Sequence, residues 1–288
     1  MADQPPIPAT GAYLGAWLNP AGISGAGPEG ELGQLPLFEQ MTSSRPAILN
    51  VYTGFASSAP ISSLQAIEAS GAIPLIAWGC APVTAISAGD YDARIRAFAA
   101  ALRALRYPVF LRWFWEMNLP TREAVSCLGS AGPSGYIAAW DHIWTIFHDT
   151  DATNVAFVWC PGVGGQAQWA SFFPGAAYVD WIGADGYDRK HLGSEAFSAI
   201  FDKWYSAYSG LGKPMMVAET GATAVDQMAY LDGIAGTLPT EFPAIKAVVY
   251  FDAAGPNGQW ELGAAGLSAF RSLASEPYFS YRGGSGSP

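Results

Sequence analysis

The chain is poor in basic residues, and that scarcity restricts its partners. Its 288 residues include 14 Lys and Arg against 24 Asp and Glu, which gives a formal net charge of −10. Binding to nucleic acid or to an anionic membrane surface depends on clustered positive charge, and this sequence has no basic stretch. We therefore expect neither a nucleic acid nor a membrane as a partner.

Long apolar runs are also missing, although half of the residues are hydrophobic. No run of about 18 residues is free of charge, Gly and Pro, so nothing predicts a membrane span. The segment from Met1 to Pro6 lacks the charged and apolar parts of a signal peptide. The protein is then either cytoplasmic or secreted with its signal peptide already removed.

Histidine and cysteine, the commonest zinc ligands, are scarce, with three of each. His142 and His148 fall on one predicted helix and His191 is remote from them in sequence. The cysteine spacings do not resemble a zinc site. We expect no metal and no organic cofactor.

The sequence does contain eight short apolar runs separated by helical patterns. The runs are continuous rather than alternating, which is typical of parallel strands buried on both faces. Between them, segments such as Asp90–Arg106 carry apolar residues at helical spacing. The eight runs are Ala12–Leu18, Ile48–Thr53, Ile73–Trp78, Val109–Trp115, Val155–Trp159, Trp181–Tyr187, Met215–Glu219 and Ala247–Phe251.

Eight β/α alternations with no second compositional block predict a single (β/α)8 barrel over residues 11–278. Residues 1–10 read as an N-terminal tail, and 279–288 as a flexible C-terminal tail or linker. A doubly wound open sheet has the same alternation, but it usually carries a glycine-rich phosphate loop after its first strand. Here Asn19–Pro28 is glycine-rich, yet Pro20 interrupts it and the fingerprint spacing is absent, so the barrel is favoured.

The three cysteines would all lie on one rim of such a barrel. Cys80 follows the third strand, Cys127 lies in the loop after the fourth, and Cys160 ends the fifth. One disulfide and one leftover thiol are possible, but the pairing cannot be read from the sequence, and three unbonded thiols are an equal alternative.

Two glutamates carry the chemistry that the sequence suggests. Glu116 and Glu219 close the fourth and seventh runs, and barrel active sites form at these carboxyl ends. Aromatic neighbours make Glu116 the candidate general acid, while Arg112 and Tyr187 are possible donors to Glu219, the candidate nucleophile. Asp185 and Tyr187 end the sixth strand. A pair of carboxyl groups at a barrel mouth is typical of glycoside hydrolases, although both could instead be members of structural ion pairs.

Tryptophans provide a second signal. Trp17, Trp78, Trp115, Trp159 and Trp260 fall at or just beyond strand ends, and indole rings stack on the flat C–H faces of sugars. These rings could equally fill the core. As a set, they favour a carbohydrate substrate.

Four motifs, in order, resemble glycoside hydrolase family 26, a group of retaining β-glycanases. Arg112–Asn118 (Arg-Trp-Phe-Trp-Glu-Met-Asn) is similar to the family's Arg-x-x-His-Glu-Met-Asn. The others are Val158–Pro161, Val179–Asp188 and Val217–Gly221, and the resemblance spans about residues 11–275.

The resemblance implies a role for each matching residue. Glu116 would be the acid/base and Glu219 the nucleophile, with Arg112 and Tyr187 supporting Glu219. Trp159 would line the cleft, and Asn118 belongs to the same substrate-binding set. Two positions depart from the family pattern. Trp115 replaces a His, and Phe251, after Tyr250, stands where the family has a Trp.

The sequence therefore predicts a retaining, endo-acting β-glycanase, with β-1,4-mannan as the first substrate. Mixed-linkage or β-1,3-linked glucan, xylan or a microbial polysaccharide remain open as substrates. So does a non-catalytic carbohydrate-binding barrel, while a nucleotide-binding α/β enzyme lacks its motif. A polymer substrate, the possible disulfide and the linker-like tail favour a secreted protein, and we expect a monomer.

Overall fold

Eight parallel strands form a closed barrel in the computed structural model, which describes residues 3–19, 27–189, 195–255 and 258–281. Neighbouring strands follow chain order, and the first pairs with the eighth from Tyr13↔Ala247 to Asn19↔Ala253, which closes the sheet. The predicted (β/α)8 barrel is confirmed. The strands are β1 (Tyr13–Asn19), β2 (Ile48–Thr53), β3 (Ile73–Trp78), β4 (Val109–Trp113), β5 (Val155–Trp159), β6 (Trp181–Tyr187), β7 (Met215–Gly221) and β8 (Ile245–Gly255), with a short antiparallel β9 (Gly258–Gln259).

Helices surround the barrel between the strands. The α-helices are α1 (Gly27–Leu32), α2 (Leu35–Thr42), α3 (Ile61–Ala69), α4 (Val83–Ser87), α5 (Asp92–Leu105), α6 (Arg122–Leu128), α7 (Gly132–Asp149), α8 (Phe197–Tyr208), α9 (Gln227–Thr237) and α10 (Ala264–Ser275). Short 3-10 helices span Val163–Phe172, Ala176–Tyr178, Ser209–Leu211 and Pro277–Phe279.

The apolar core has two layers, because successive strand residues point to opposite faces of the sheet. One buried cluster fills the barrel and receives side chains from all eight strands, among them Tyr13, Phe110 and Trp181. A larger cluster lies between the strands and the surrounding helices. The barrel interior is therefore packed, and any site must lie at its ends.

Strand β4 is shorter than predicted. The expected strand reached Trp115, but the ladder ends at Trp113. Phe114 and Glu116 have φ values of 48° and 52°, in the left-handed region that an extended strand excludes. Glu116 was expected to close this strand, but a turn carries it instead.

The first and last described segments of the chain pack at the base of the barrel. The Gln4 side chain donates to the Val155 carbonyl at 3.1 Å, and the Tyr13 hydroxyl donates to the Pro6 carbonyl at 2.8 Å. Phe279 is buried, and Tyr281 meets the Tyr13 ring at 5.0 Å. The packed unit thus runs beyond the predicted boundary at 278, because these aromatic side chains cover the base.

Some predicted features lie outside the described residues: most of the glycine-rich Asn19–Pro28 segment, His191, and the C-terminal residues after 281. Within the described residues, no helix is long and apolar enough to cross a membrane. Cys80 and Cys127 form a disulfide, while Cys160 is a buried free thiol.

Candidate active site

The carboxyl ends of four strands bring a compact polar cluster to the barrel mouth. β2 supplies Tyr52, β4 supplies Arg112, β6 supplies Asp185 and Tyr187, and β7 supplies Glu219. Around it lie the side chains of the apolar barrel interior, so each polar group depends on its neighbours for hydrogen bonds.

A β-bulge aims Glu219 into the barrel. Asp185 on β6 pairs with Glu219 although the preceding pair is Ala184↔Val217, so β7 has one extra residue, Ala218. The pairing with β8 shows the same shift between Val217 and Thr220. Simple alternation would turn Glu219 outward with Val217; the extra residue re-aims it inward.

Three donors hold the Glu219 carboxylate. Arg112 Nη2 and the Tyr52 hydroxyl both donate to Oε1, and the Tyr187 hydroxyl donates to Oε2. Burial, and then the charge of Glu219, raise the pKa of both phenols, so they remain protonated donors. The Glu219 side chain keeps only 6% of its surface exposed. The carboxylate is thus fixed in orientation and nearly closed to solvent.

Arg112 links Glu219 to a second carboxylate. Its Nη1 lies 2.7 Å from both oxygens of Asp185, and the Cys160 thiol is 3.2 Å from Asp185 Oδ1. Arg112 and Asp185 side chains are fully buried. A buried charge needs such pairing, and here one guanidinium serves two carboxylates.

Asp185 was predicted at the rim in contact with substrate, and this prediction is wrong. Its side chain points into the polar cluster and binds Arg112, and the residue is only 1% exposed. Position 185 faces inward by alternation, and Arg112 binds both of its carboxylate oxygens there.

Glu116 lies in the turn after β4. Its backbone N–H donates to the Cys160 carbonyl at 2.8 Å, and its carbonyl accepts from Leu119 at 2.9 Å, so the turn is fixed against β5. Burial first, and the charge of Glu219 second, raise the pKa of Glu116 to about 7, while Arg112 and Arg189 lower it. The two glutamates therefore differ in environment. Burial keeps Glu116 protonated up to about neutral pH, whereas the carboxylate of Glu219 accepts hydrogen bonds from the Arg112 guanidinium and two tyrosine hydroxyls.

Two pockets border Glu116. A pocket of about 140 Å³ is bordered by Cys80, Phe114 and Trp115. A larger one of about 470 Å³ is bordered by Leu119, Gly162, Tyr187 and Arg189, among others. Space for a bound molecule is therefore present next to this carboxyl group.

An aromatic collar surrounds Glu219, formed by Trp17, Tyr52, Trp115, Tyr187 and Phe251. The Tyr52 ring lies 5.0 Å from Trp17 and 5.2 Å from Trp115. Phe251 lies 4.3 Å from Trp17 and 5.8 Å from Tyr187. The structure thus brings Trp17, Trp115, Tyr187 and Phe251, four of the predicted contacts, to the mouth beside the glutamates.

Trp78 and Trp159 do not reach this mouth, and their prediction as substrate contacts is wrong. Trp78 stacks between Phe55 and Phe98, 4.7 and 4.3 Å away. The Trp159 indole donates to the Phe172 carbonyl at 3.1 Å. Both are fully buried on the outer, helix-facing side of the barrel, as alternation after an inward-facing neighbour requires.

Asn118 and Trp260 hold other parts of the site in place through contacts with the protein. The Asn118 side chain exchanges two hydrogen bonds with the Gly162 backbone, at 2.8 and 2.9 Å, and so ties the loop after β4 to the loop after β5. Trp260 is 5% exposed and stacks on the Tyr187 ring at 4.9 Å. Each was predicted to contact substrate, and that stays a prediction.

Tyr52, Cys160 and Arg189 belong to the site but were not predicted in it. Tyr52 could have been predicted. It lies four residues after Ile48 on the same, inward-facing side of β2, close to the carboxyl end of that strand. Arg189 lies over the Tyr187 ring at 5.6 Å. Its position follows from the chain path after β6 and has no sequence signal.

Within the described part of the chain, no three His, Cys, Asp or Glu side chains cluster as a metal site would require. His142 instead contacts Asp92 at 2.7 Å on the outer helices.

Comparison with known proteins supports the fold. No family model matches the chain. Endoglucanase H of Acetivibrio thermocellus is 27% identical over 202 residues, an alignment that covers 65% of this chain and 22% of that protein. The chain therefore spans only about a fifth of that relative.

Solved structures match over nearly the whole chain. GH26C from Muricauda sp. MAR_2010_75 has a TM-score of 0.68 at 14% identity, over 93% of this chain and 86% of that one. A β-mannanase from a symbiotic protist of the termite Reticulitermes speratus, complexed with gluco-manno-oligosaccharide, has a TM-score of 0.66 at 16% identity, over 93% and 88%. The chain thus shares its fold with glycoside hydrolases of family 26 and with β-mannanases.

Proposed function

We propose that this protein is a retaining, endo-acting glycoside hydrolase that cleaves a β-linked polysaccharide. One observation carries the proposal: the mouth holds one carboxyl group whose pKa is raised to about 7 and a second that a guanidinium and two phenols orient. Glycoside hydrolysis uses such a pair, one protonated and one ionised.

In this mechanism, Glu116 transfers its proton to the glycosidic oxygen while Glu219 attacks the anomeric carbon. The carbon–oxygen bond to the departing sugar breaks, and an ester to Glu219 forms. Glu116, now ionised, takes a proton from water, whose oxygen displaces Glu219 and restores both groups. This double displacement requires the two carboxyl groups about 5–5.5 Å apart. The two pockets that border Glu116 offer room for more than one sugar unit and support cleavage within a chain.

The first candidate substrate is β-1,4-mannan. β-Mannanases are among the solved structures of the same fold, and one of them is bound to a gluco-manno-oligosaccharide. The related protein named Endoglucanase H favours a β-glucan as the second candidate. Xylan and other polymers follow, and the collar of aromatic rings supports any of these through stacking.

The test is a reducing-sugar assay on a panel led by β-mannan and mixed-linkage β-glucan, with the products sized. We expect oligomers from one polymer with wild type. We expect none with Glu116→Ala or Glu219→Gln, while thermal unfolding shows both variants folded. An amide cannot serve as the nucleophile, so turnover by Glu219→Gln would contradict the assignment. Binding without release by wild type would favour a carbohydrate-binding barrel.

Product stereochemistry tests the double displacement separately. Proton NMR of the first products should show the β-anomer before mutarotation. An initial α-anomer would indicate inversion, with a water molecule between the carboxyl groups.

We also infer that the protein is secreted and monomeric. The Cys80–Cys127 disulfide supports an oxidising compartment. Sedimentation of the purified protein and free-thiol titration after native expression would test the two inferences.

A further inference from the structure

The two oxygens of Glu219 differ in how many donors they already have. Among the described residues, Oε1 accepts from both Arg112 Nη2 and the Tyr52 hydroxyl, whereas Oε2 accepts from Tyr187 alone. A carboxylate has about four acceptor positions, two on each oxygen. Oε1 is thus filled by protein donors, and Oε2 keeps one free lone pair.

These donors are fixed before any substrate arrives. The Tyr52 ring is packed edge-on between Trp17 and Trp115, with interplanar angles of 82° and 64°. The Arg112 side chain has no exposed surface, and its guanidinium carbon lies 5.5 Å from the Trp115 ring centre. Neither donor can be displaced by a sugar hydroxyl without breaking this packing. A substrate therefore meets a carboxylate with one oxygen already saturated.

We propose that Glu219 attacks through Oε2 and that Tyr52, as a positioning residue, prevents Oε1 from accepting a hydrogen bond from the sugar's C2 hydroxyl. The inference rests on the proposed glycosidase function. When one carboxylate oxygen bonds to the anomeric carbon, the other lies beside the C2 substituent. Hydrogen bonds to that hydroxyl normally strengthen in the transition state of glycoside hydrolysis.

The consequence concerns the class of substrate. Glucose and mannose units differ only in configuration at C2, and the nucleophile does not recognise that position. The reaction centre accordingly accepts β-linked chains with either gluco or manno units at the cleaved bond. Selection among polymers then falls to contacts farther along the cleft.

The test compares aryl β-disaccharides that differ only in the sugar attached to the aryl group: gluco, manno or 2-deoxygluco. For wild type we expect gluco and manno values of kcat/KM within about tenfold of each other, because an unused hydroxyl contributes little. The Tyr52→Phe variant keeps the ring in place and frees one lone pair on Oε1. In it, the ratio of kcat/KM for the gluco over the 2-deoxy substrate should rise about tenfold, the effect of one new hydrogen bond to a charged acceptor.

The 2-deoxy substrate is intrinsically more reactive than the gluco substrate. This difference is the same for wild type and variant, so it cancels when their gluco over 2-deoxy ratios of kcat/KM are compared. Tyr187→Phe is the matched control: it removes a phenol from Oε2 but leaves Oε1 filled, so it should slow both substrates and leave their ratio unchanged. The wild-type comparison needs no variant, so it decides the question even if Tyr52→Phe unfolds.

Two results would overturn the inference alone: a wild-type preference above about 100-fold between gluco and manno, or an unchanged ratio in folded Tyr52→Phe. If wild type cleaves none of the three aryl glycosides and releases no sugar from any polymer of the panel, the glycosidase proposal fails, and this inference fails with it. If it cleaves a polymer but none of the three aryl glycosides, the glycosidase proposal stands and the inference that the cleaved bond accepts gluco and manno units is wrong.

Discussion

Replacing Glu116 by Gln should remove a loss of stability that the wild-type protein suffers as pH rises. Burial and the charge of Glu219 raise the pKa of this carboxyl from 4.5 to about 7 in the native state. Between the two values the native protein binds more protons at this site than the unfolded chain. The free energy of unfolding must therefore fall as pH rises through this window.

The magnitude follows from the two pKa values. A pH unit corresponds to about 1.4 kcal/mol, so ionising native Glu116 costs up to about 3 kcal/mol once the pH exceeds 7. Glutamine has nearly the same shape and stays neutral at every pH. We expect the variant to match wild type within about 1 kcal/mol near pH 4 and to exceed it by about 3 kcal/mol near pH 8.5.

Urea unfolding of both proteins, followed by tryptophan fluorescence at several pH values, measures this difference. Glu31 and Asp252, whose pKa values burial raises to about 6, titrate in the same range. They are present in both proteins and cancel in the subtraction.

A control tests the second cause of the raised pKa. In a Glu219→Gln background the repelling charge is gone, so the gain from Glu116→Gln should be smaller. If instead the stabilities of Glu116→Gln and wild type run parallel from pH 4 to pH 8.5, Glu116 is not desolvated and the assignment of the acid loses its basis.

Three further predictions concern activity, the disulfide and the tryptophans. In a pH profile, kcat/KM should fall about tenfold per unit above pH 7, because Glu116 must carry a proton; a flat profile to pH 9 would contradict this. Replacing Cys80 and Cys127 by Ser should lower the free energy of unfolding by about 2–4 kcal/mol in urea, since the bond closes a 47-residue separation; unchanged stability would argue against the bond. Trp78→Phe should lower stability by about 1–3 kcal/mol and leave the KM for polymer unchanged, because this ring packs against helix α5; a raised KM would return it to the cleft.

Much of the fold could be predicted because parallel strands buried on both faces leave a distinctive pattern. Six of the eight predicted strands begin at the residue where the structure begins them, from Ile48 to Met215. Strand ends were less predictable. Val109–Trp115 is apolar throughout, and nothing in its composition marks the left-handed backbone at Phe114.

Some site residues could be predicted from the sequence and others could not. The carboxylates at strand tips stand out in sequence, because charge at the end of an apolar run is rare. Tryptophans do not, since the same residue type fills the mouth at Trp17 and the outer core at Trp78 and Trp159.

By itself, the sequence determined the alternation of strands and helices, and the presence of two glutamates and an arginine near one end of a barrel. Tertiary structure alone decided how they are used. The bulge at Ala218 turns Glu219 inward, and closure of the barrel places Tyr52 from β2 on the carboxylate of β7. Such contacts join residues far apart in the chain, so their geometry depends on strand register and barrel closure, which local patterns do not encode.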